Sequence, residues 1–257
     1  MEYRLNEFDP STTKEHRVWL IIGPRGSGKS ALLSDILFHT RNNYDIGVAF
    51  TATTSTVDTF KKFLPHSLIY KNGYDYDKGE QILRCAKDHT ERGRQKNTLI
   101  VLDDCMFDSK VMKSNAMTEV HLNGRHSSIT LFNTTQYVMS TVPPIVRTNV
   151  DYVLVLQDSV LTNRKRLFEY FFGNFPTFKE FDTVMQQVTA HHGCLVLDKT
   201  QTSPKVSDSV FYYKAKTDLP QFRIGKPGYF RLDKIIQEDK KKQDLELTGN
   251  QQVVTIT

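Results

Sequence analysis

The chain has 257 residues, 39% hydrophobic and 25% charged, which fits one large globular domain and excludes a disordered or fibrous chain. Its net charge of +5 permits a nucleic-acid partner without demanding one, because 34 basic residues are dispersed among 29 acidic ones. No apolar run approaches the roughly 20 residues of a membrane helix, the N-terminus lacks a signal-peptide pattern, and Cys85, Cys105 and Cys194 are too few and scattered for a disulfide framework or a zinc site. An intracellular setting with buried thiols is the expectation.

The first predicted strand covers 17–22 and ends in Gly23-Pro24-Arg25-Gly26-Ser27-Gly28-Lys29-Ser30. The spacing Gly-x-x-x-x-Gly-Lys-Ser is that of a phosphate-binding loop. Its glycines let backbone amides approach a polyphosphate, and the following helix aims its positive dipole end at the same anion. In this pattern Lys29 reaches the β- and γ-phosphates and the Ser30 hydroxyl coordinates Mg²⁺. The required context, a strand before and a helix after, is present: Leu32, Leu33, Ile36 and Leu37 recur at helical spacing within a predicted helix over 29–39.

Further predicted elements are strands over 46–51 and 67–70, a helix over 77–90, and a buried strand over 98–103 that ends in Asp103-Asp104. Asp103 is expected to hold Mg²⁺ from the second side, and Asp104 to orient or deprotonate a water. The competing reading of Asp104 is a turn residue or helix cap, with Glu119 as the reserve base. The triphosphate and its metal are expected between the tips of two neighbouring strands, Lys29 on one side and Asp103 on the other. A helix over 110–122 follows, whose Lys110 and Lys113 are candidates for a nucleotide-responsive pore loop. Then come strands over 129–133 and 152–156, helices over 161–172 and 178–191, and strands over 194–198 and 210–216. Arg164, Lys165 and Arg166 precede a run of aromatic residues and could contact nucleic acid, the plainer reading being a solvated helix start. His191 and His192 lack metal-ligand spacing. From about residue 234 the chain turns polar and charged, and a tail is expected; the β-prone 253–257 could instead add an edge strand. The alternation of strands and helices predicts an α/β nucleotide-binding fold with a mainly parallel sheet, a domain over 1–216 with its core at about 15–200, and an extension over 217–257.

Taken together, Gly-Pro-Arg-Gly-Ser-Gly-Lys-Ser, Leu-Ile-Val-Leu-Asp-Asp, and Gly-Arg-x-x-x-Ile ahead of Thr-Gln with Pro and Arg-x-Asn beyond it resemble the genome-packaging ATPases of the nucleocytoplasmic large DNA viruses, a branch of the FtsK/HerA superfamily of P-loop translocases. The resemblance spans roughly 15–215, closely at the first two motifs and more loosely beyond Gln136. It implies a RecA-like ATPase domain, ATP and Mg²⁺ as cofactors, a homo-oligomeric ring, double-stranded DNA as the moving partner and a capsid or portal-like docking protein. Action would be in the host cytoplasm at sites of virus assembly, or in the virion. It also implies Gln136 as sensor of the γ-phosphate and Arg125 as an arginine finger reaching a neighbouring subunit, with Arg147 and Arg25 as alternatives. For Arg125 a surface arginine ahead of a strand is the plainer reading. One departure is Asp104, where many relatives carry Glu.

Two other function classes stay open: a small-molecule kinase, which would share the first motif, and a nucleotide-gated assembly protein with little turnover. A GTPase is disfavoured because no Asn-Lys-x-Asp motif occurs.

Overall fold

The computed structural model describes residues 3–105, 109–136, 144–203 and 205–249. Its centre is a sheet of nine strands among these residues: β1 (Asn6–Glu7), β2 (Val18–Ile22), β3 (Ile46–Thr51), β4 (Ile69–Tyr70), β5 (Thr98–Asp103), β6 (Ile129–Thr135), β7 (Tyr152–Val155), β8 (Cys194–Asp198) and β9 (Val210–Tyr213). Their order is β1-β9-β8-β7-β2-β6-β5-β3-β4. Every pairing is parallel except those of β8, which runs against both β7 and β9.

The central strands are continuous apolar runs because both their faces are covered. In β2, Trp19 and Ile21 face α1 (Lys29–Thr40) and α2 (Thr54–Phe60), while Val18, Leu20 and Ile22 join the core under α3 (Tyr76–Glu91), α5 (Asn115–Asn123), α7 (Leu161–Tyr170) and α8 (Phe178–Thr189). Trp19 stacks between Phe132 of β6 and Tyr152 of β7, with ring centroids 4.9 and 4.2 Å away. The rings share one register row across three strands, which fixes β2 between its neighbours.

The sheet order corrects one expectation. The loop strand β2 and the Asp-tipped strand β5 are not adjacent; β6 lies between them, with Ile22 beside Thr135 and Asp103 beside Thr134. Two strand spacings, roughly 10 Å, therefore separate the two tips, a gap that a triphosphate can span.

Other differences are local. The helix predicted over 110–122 is divided into α4 (Ser109–Lys113) and α5, because the Ser114 hydroxyl donates to Val111 O at 2.7 Å and accepts the Met117 amide at 3.3 Å, ending one helix and capping the next. Short helices α6 (Pro144–Thr148) and α9 (Val206–Ser209) precede β7 and β9. The polar segment expected as a tail continues α10 (Pro227–Gly249) instead. Proline at its first position and many Lys, Glu, Gln and Leu residues favour a helix, and Asp233 docks it by accepting the amides of His66 and Ser67 at 3.0 and 2.7 Å. Residues 253–257 lie outside the described residues. Among the cysteines, Cys105 and Cys194 are buried, whereas Cys85 is exposed. Among the described residues no helix is long and apolar enough to cross a membrane.

Candidate functional site

The loop leaves β2 at Gly23, whose amide continues the sheet by donating to Thr135 O at 3.1 Å. A Cβ at Gly23 would sit 2.5 Å from Ser27 Oγ and 2.9 Å from Leu156 Cβ, so the close turn admits no side chain. The turn closes with the Ser27 amide on Pro24 O at 3.2 Å. Gly28, at φ +104°, then swings the chain into α1 as its N-cap. No side chain caps α1, which leaves its first-turn amides for an anion. The Ser27 hydroxyl is buried without a partner among the described residues, a second polar group lacking an acceptor or donor at the same place. Arg25 and Gly26 are exposed at the loop's crest. This donor set fits a polyphosphate.

Lys29 folds back over the loop, its ammonium donating to Gly23 O at 2.7 Å and Pro24 O at 3.1 Å. Burial lowers its pKa, and the nearby charges of Asp104 and Asp103 oppose that shift. All three charged groups therefore share one site.

Asp103 is buried at the tip of β5. Its Oδ1 accepts from the Thr134 hydroxyl at 2.8 Å and its Oδ2 from the Thr51 hydroxyl at 3.2 Å, so neighbouring strands on both sides hold the carboxylate. Asp104 follows at φ +54°, a left-handed conformation unusual for a residue other than glycine. Its amide donates to Thr134 Oγ1 at 3.0 Å, and its Oδ2 accepts from Gln136 Nε2 at 2.6 Å. Thr134 thus joins both aspartates, and Gln136 extends the network from Asp104. Thr51 and Thr134 escaped sequence reasoning; their signal was a polar residue at the tip of each strand flanking Asp103.

Among the described residues no group of three or more His, Cys, Asp or Glu could hold a metal. Ser30 and Asp103 with phosphate oxygens nevertheless fit Mg²⁺, which keeps few protein ligands and completes its shell from substrate and water. Each Asp103 oxygen, having accepted one hydrogen bond, retains acceptor capacity.

The arginine candidates divide. Arg25 is in the loop. Arg125 is exposed in the turn leading into β6, and Arg147 lies in α6 before β7, both at the end of the strands opposite the loop. Arg125 borders a small polar pocket with Arg17, Asp151 and Lys199, and Arg147 places its guanidinium 4.0 Å over the Tyr170 ring. Neither reaches the loop of its own chain.

Glu119, the reserve base, has its carboxylate held by Lys87 at 2.6 Å, between α5 and α3, and this partner lowers its pKa. Arg164, a candidate for nucleic-acid contact, is instead ion-paired with Asp182 at 2.5 Å and largely buried. The Cys105 thiol beside Asp103 is pushed up to about 12 by burial and stays protonated.

This loop on this sheet defines a P-loop ATPase fold. No protein-family model matches the chain. It is 30% identical over 208 residues to protein 088R of Invertebrate iridescent virus 3, covering 80% of this chain and 79% of the relative. It is likewise 30% identical over 230 residues to protein L437 of Acanthamoeba polyphaga mimivirus, covering 84% and 77%. Both relatives are uncharacterized. Its fold matches the genome-packaging NTPase B204 of Sulfolobus turreted icosahedral virus 2, solved with AMP, at a TM-score of 0.58 and 16% identity over 81% of this chain and all of that one. The chain belongs to one family with these proteins of large DNA viruses, on the fold of the viral genome-packaging ATPases. The resemblance read from the motifs holds at the level of family and fold.

Proposed function

We propose that this protein is an ATP-driven translocase that packages double-stranded DNA into a viral capsid, hydrolysing Mg-ATP at sites completed between subunits of a ring. The observation that carries the catalytic half of this reading is that Lys29, Asp103, Asp104 and Gln136 are linked by hydrogen bonds or direct charge interaction at the tips of three adjacent strands.

In this reading the loop amides and Lys29 bind the triphosphate and neutralise its charge. Ser30 and Asp103 would hold Mg²⁺, which when bound would supply further neutralisation of the phosphate charge. Gln136 and Asp104 orient a water whose oxygen attacks the γ-phosphorus as the bond to the β–γ bridging oxygen breaks. Asp104 Oδ takes the water's proton, and ADP and phosphate leave. The hydrogen bond between Gln136 and Asp104 lets the sensor respond to the γ-phosphate through the group that handles water. Arg125, at the far end of the strands, is suited to reach only a neighbour's nucleotide, which agrees with a finger acting between subunits. Duplex DNA, a ring and a capsid or portal-like partner follow from the family resemblance, as does action in the host cell where capsids are filled. The protein B204, whose fold this chain shares, is itself a genome-packaging NTPase.

Lys29→Ala and Asp103→Ala are expected to abolish phosphate release from ATP. Wild-type rates in either variant would refute the assignment. Labelled phosphate transferred to a nucleoside would indicate the kinase reading, and turnover unchanged in Asp104→Asn would indicate the assembly protein.

A further inference from the structure

The end of the sheet opposite the phosphate loop is built from the starts of β2, β6 and β7 and the finish of β8, which runs the other way. Asp151 ties three of these strands together. Its amide donates to Val18 O at 2.8 Å, its carbonyl accepts the Lys199 amide at 2.8 Å, and its Oδ2 accepts the Val18 amide at 2.9 Å. Three basic side chains from distant parts of the sequence meet here: Arg17 ahead of β2, Arg125 ahead of β6 and Lys199 after β8. They border a cavity of about 200 Å³, and among the described residues around it these three cations face one carboxylate, Asp151.

That carboxylate does not satisfy the cations. Its Oδ1 stands 3.8 Å from Arg17 Nη1, beyond hydrogen-bond reach. The Nε–H of Arg17 is buried and finds no acceptor among the described residues, an arrangement that costs free energy unless a bound group supplies one. Lys199 spends two of its three N–H groups on Arg147 O at 2.9 Å and Thr148 O at 3.1 Å, and Arg125 is exposed at the mouth. The backbone beside Arg17 is itself unusual. His16 sits at φ +54°, left-handed, held by its amide on Thr130 Oγ1 at 3.2 Å and by its ring Nε2, 3.0 Å from Asn97 Oδ1. Such strain collects at functional sites.

The geometry points to this cavity as a second anion site, one that takes a free hydrogen phosphate ion. Its size is below the roughly 300–1,000 Å³ of organic-ligand sites, and at about 30 Å³ for each water it holds a small ion with a few waters. Phosphate oxygens accept from Arg17, Arg125 and Lys199, charge-assisted bonds arriving from three directions. Inorganic phosphate also keeps a proton at neutral pH, and its P–OH donates to Asp151 Oδ1. The carboxylate thereby selects the ion: sulfate has no proton to offer Asp151 and is repelled. Phosphate is a product of the proposed hydrolysis, and while bound it holds Arg125 within its own chain, which slows turnover at the neighbour. This last step rests on the reading of Arg125 as a finger; the site itself does not.

Calorimetric titration of Lys29→Ala with inorganic phosphate tests the site without a contribution from the loop. Saturable binding is expected, at least about tenfold tighter than sulfate at equal ionic strength, and weakened about tenfold by adding Arg17→Gln or Lys199→Gln. The Arg17 Nε–H resonance of Lys29→Ala is expected to shift along the same curve, a readout independent of how the further variants fold. Phosphate and sulfate bound alike, or an unmoved Arg17 resonance, would overturn the site. A shift in the wild type seen only with Mg-ATP, and only where subunits associate, would also overturn it and leave the cluster to the neighbour's nucleotide. In wild-type turnover, inhibition by phosphate that excess ATP does not relieve supports the regulatory step, and inhibition that ATP relieves fully would overturn that step alone.

Discussion

At Thr134 one hydroxyl serves two carboxylate residues, donating to Asp103 and accepting the Asp104 amide. A valine has nearly the same shape and can do neither. Thr134→Val leaves a part-buried amide and a buried carboxylate oxygen each one partner short, a loss of about 1–3 kcal/mol in stability. Because the Asp104 backbone is held left-handed at φ +54°, losing that amide bond also releases the geometry of the water-handling group. ATP turnover is expected to fall by about 10–100-fold with nucleotide affinity little changed, and Thr134→Ser to restore most of it. Turnover and nucleotide titrations of the two variants check this; equal turnover in Val and wild type would remove Thr134 from the site. The residues with one-dimensional signatures, Gly23 to Ser30 and Asp103, are recognisable in the sequence because loop and strand tip are each contiguous. Thr51 and Thr134 are not, because their importance comes only from strand register.

At the scale of elements, central strands were legible for a physical reason: covered on both faces, β3, β5 and β8 are unbroken apolar runs, and their predicted bounds coincide with those observed. The edge strand β1 gave no such signal. The polar two-residue β1 is held by pairing with β9, and nothing in Asn6–Glu7 announces it. The division at Ser114 and the helical course of α10 were likewise hidden, since a cap and a docking carboxylate act through particular hydrogen bonds and not through periodicity. The joint between α5 and β6 carries a testable pH response. His121 is fully buried, donates from Nδ1 to Met117 O at 2.7 Å, and is held neutral with its pKa pushed down to about 4 by desolvation. The unfolded chain takes up this proton near the ordinary 6.5, so between about 6.5 and 4 it binds more protons than the folded state. Stability therefore falls as pH falls through that window, by up to ~3 kcal/mol from this group. Urea midpoints at neutral pH and near pH ~4.5 are expected to show a smaller acid loss in His121→Gln than in the wild type. Equal losses would mean that His121 is not the group responsible.

At the scale of the whole molecule, the sheet separates two sets of charged and polar residues. Lys29, Asp103, Asp104 and Gln136 gather at one end of the strands, and Arg125 with Arg17 and Lys199 at the other. This opposition could not be read from the sequence, where Arg125 and Gln136 are only eleven positions apart. They stand at opposite ends of β6, and the insertion of that strand between β2 and β5 is itself a matter of topology. If Arg125 acts on a neighbour's nucleotide, Arg125→Ala should keep nucleotide binding and lose turnover. Mixing it with the equally inactive Asp104→Asn should then recover part of the rate, because some interfaces combine an intact site with an intact arginine. No recovery on mixing would count against a finger acting between subunits. Turnover per subunit, measured against protein concentration with and without duplex DNA, tests the ring motor most directly. A rate that climbs steeply as subunits associate and rises further with DNA is predicted, and a rate per subunit indifferent to both would contradict it.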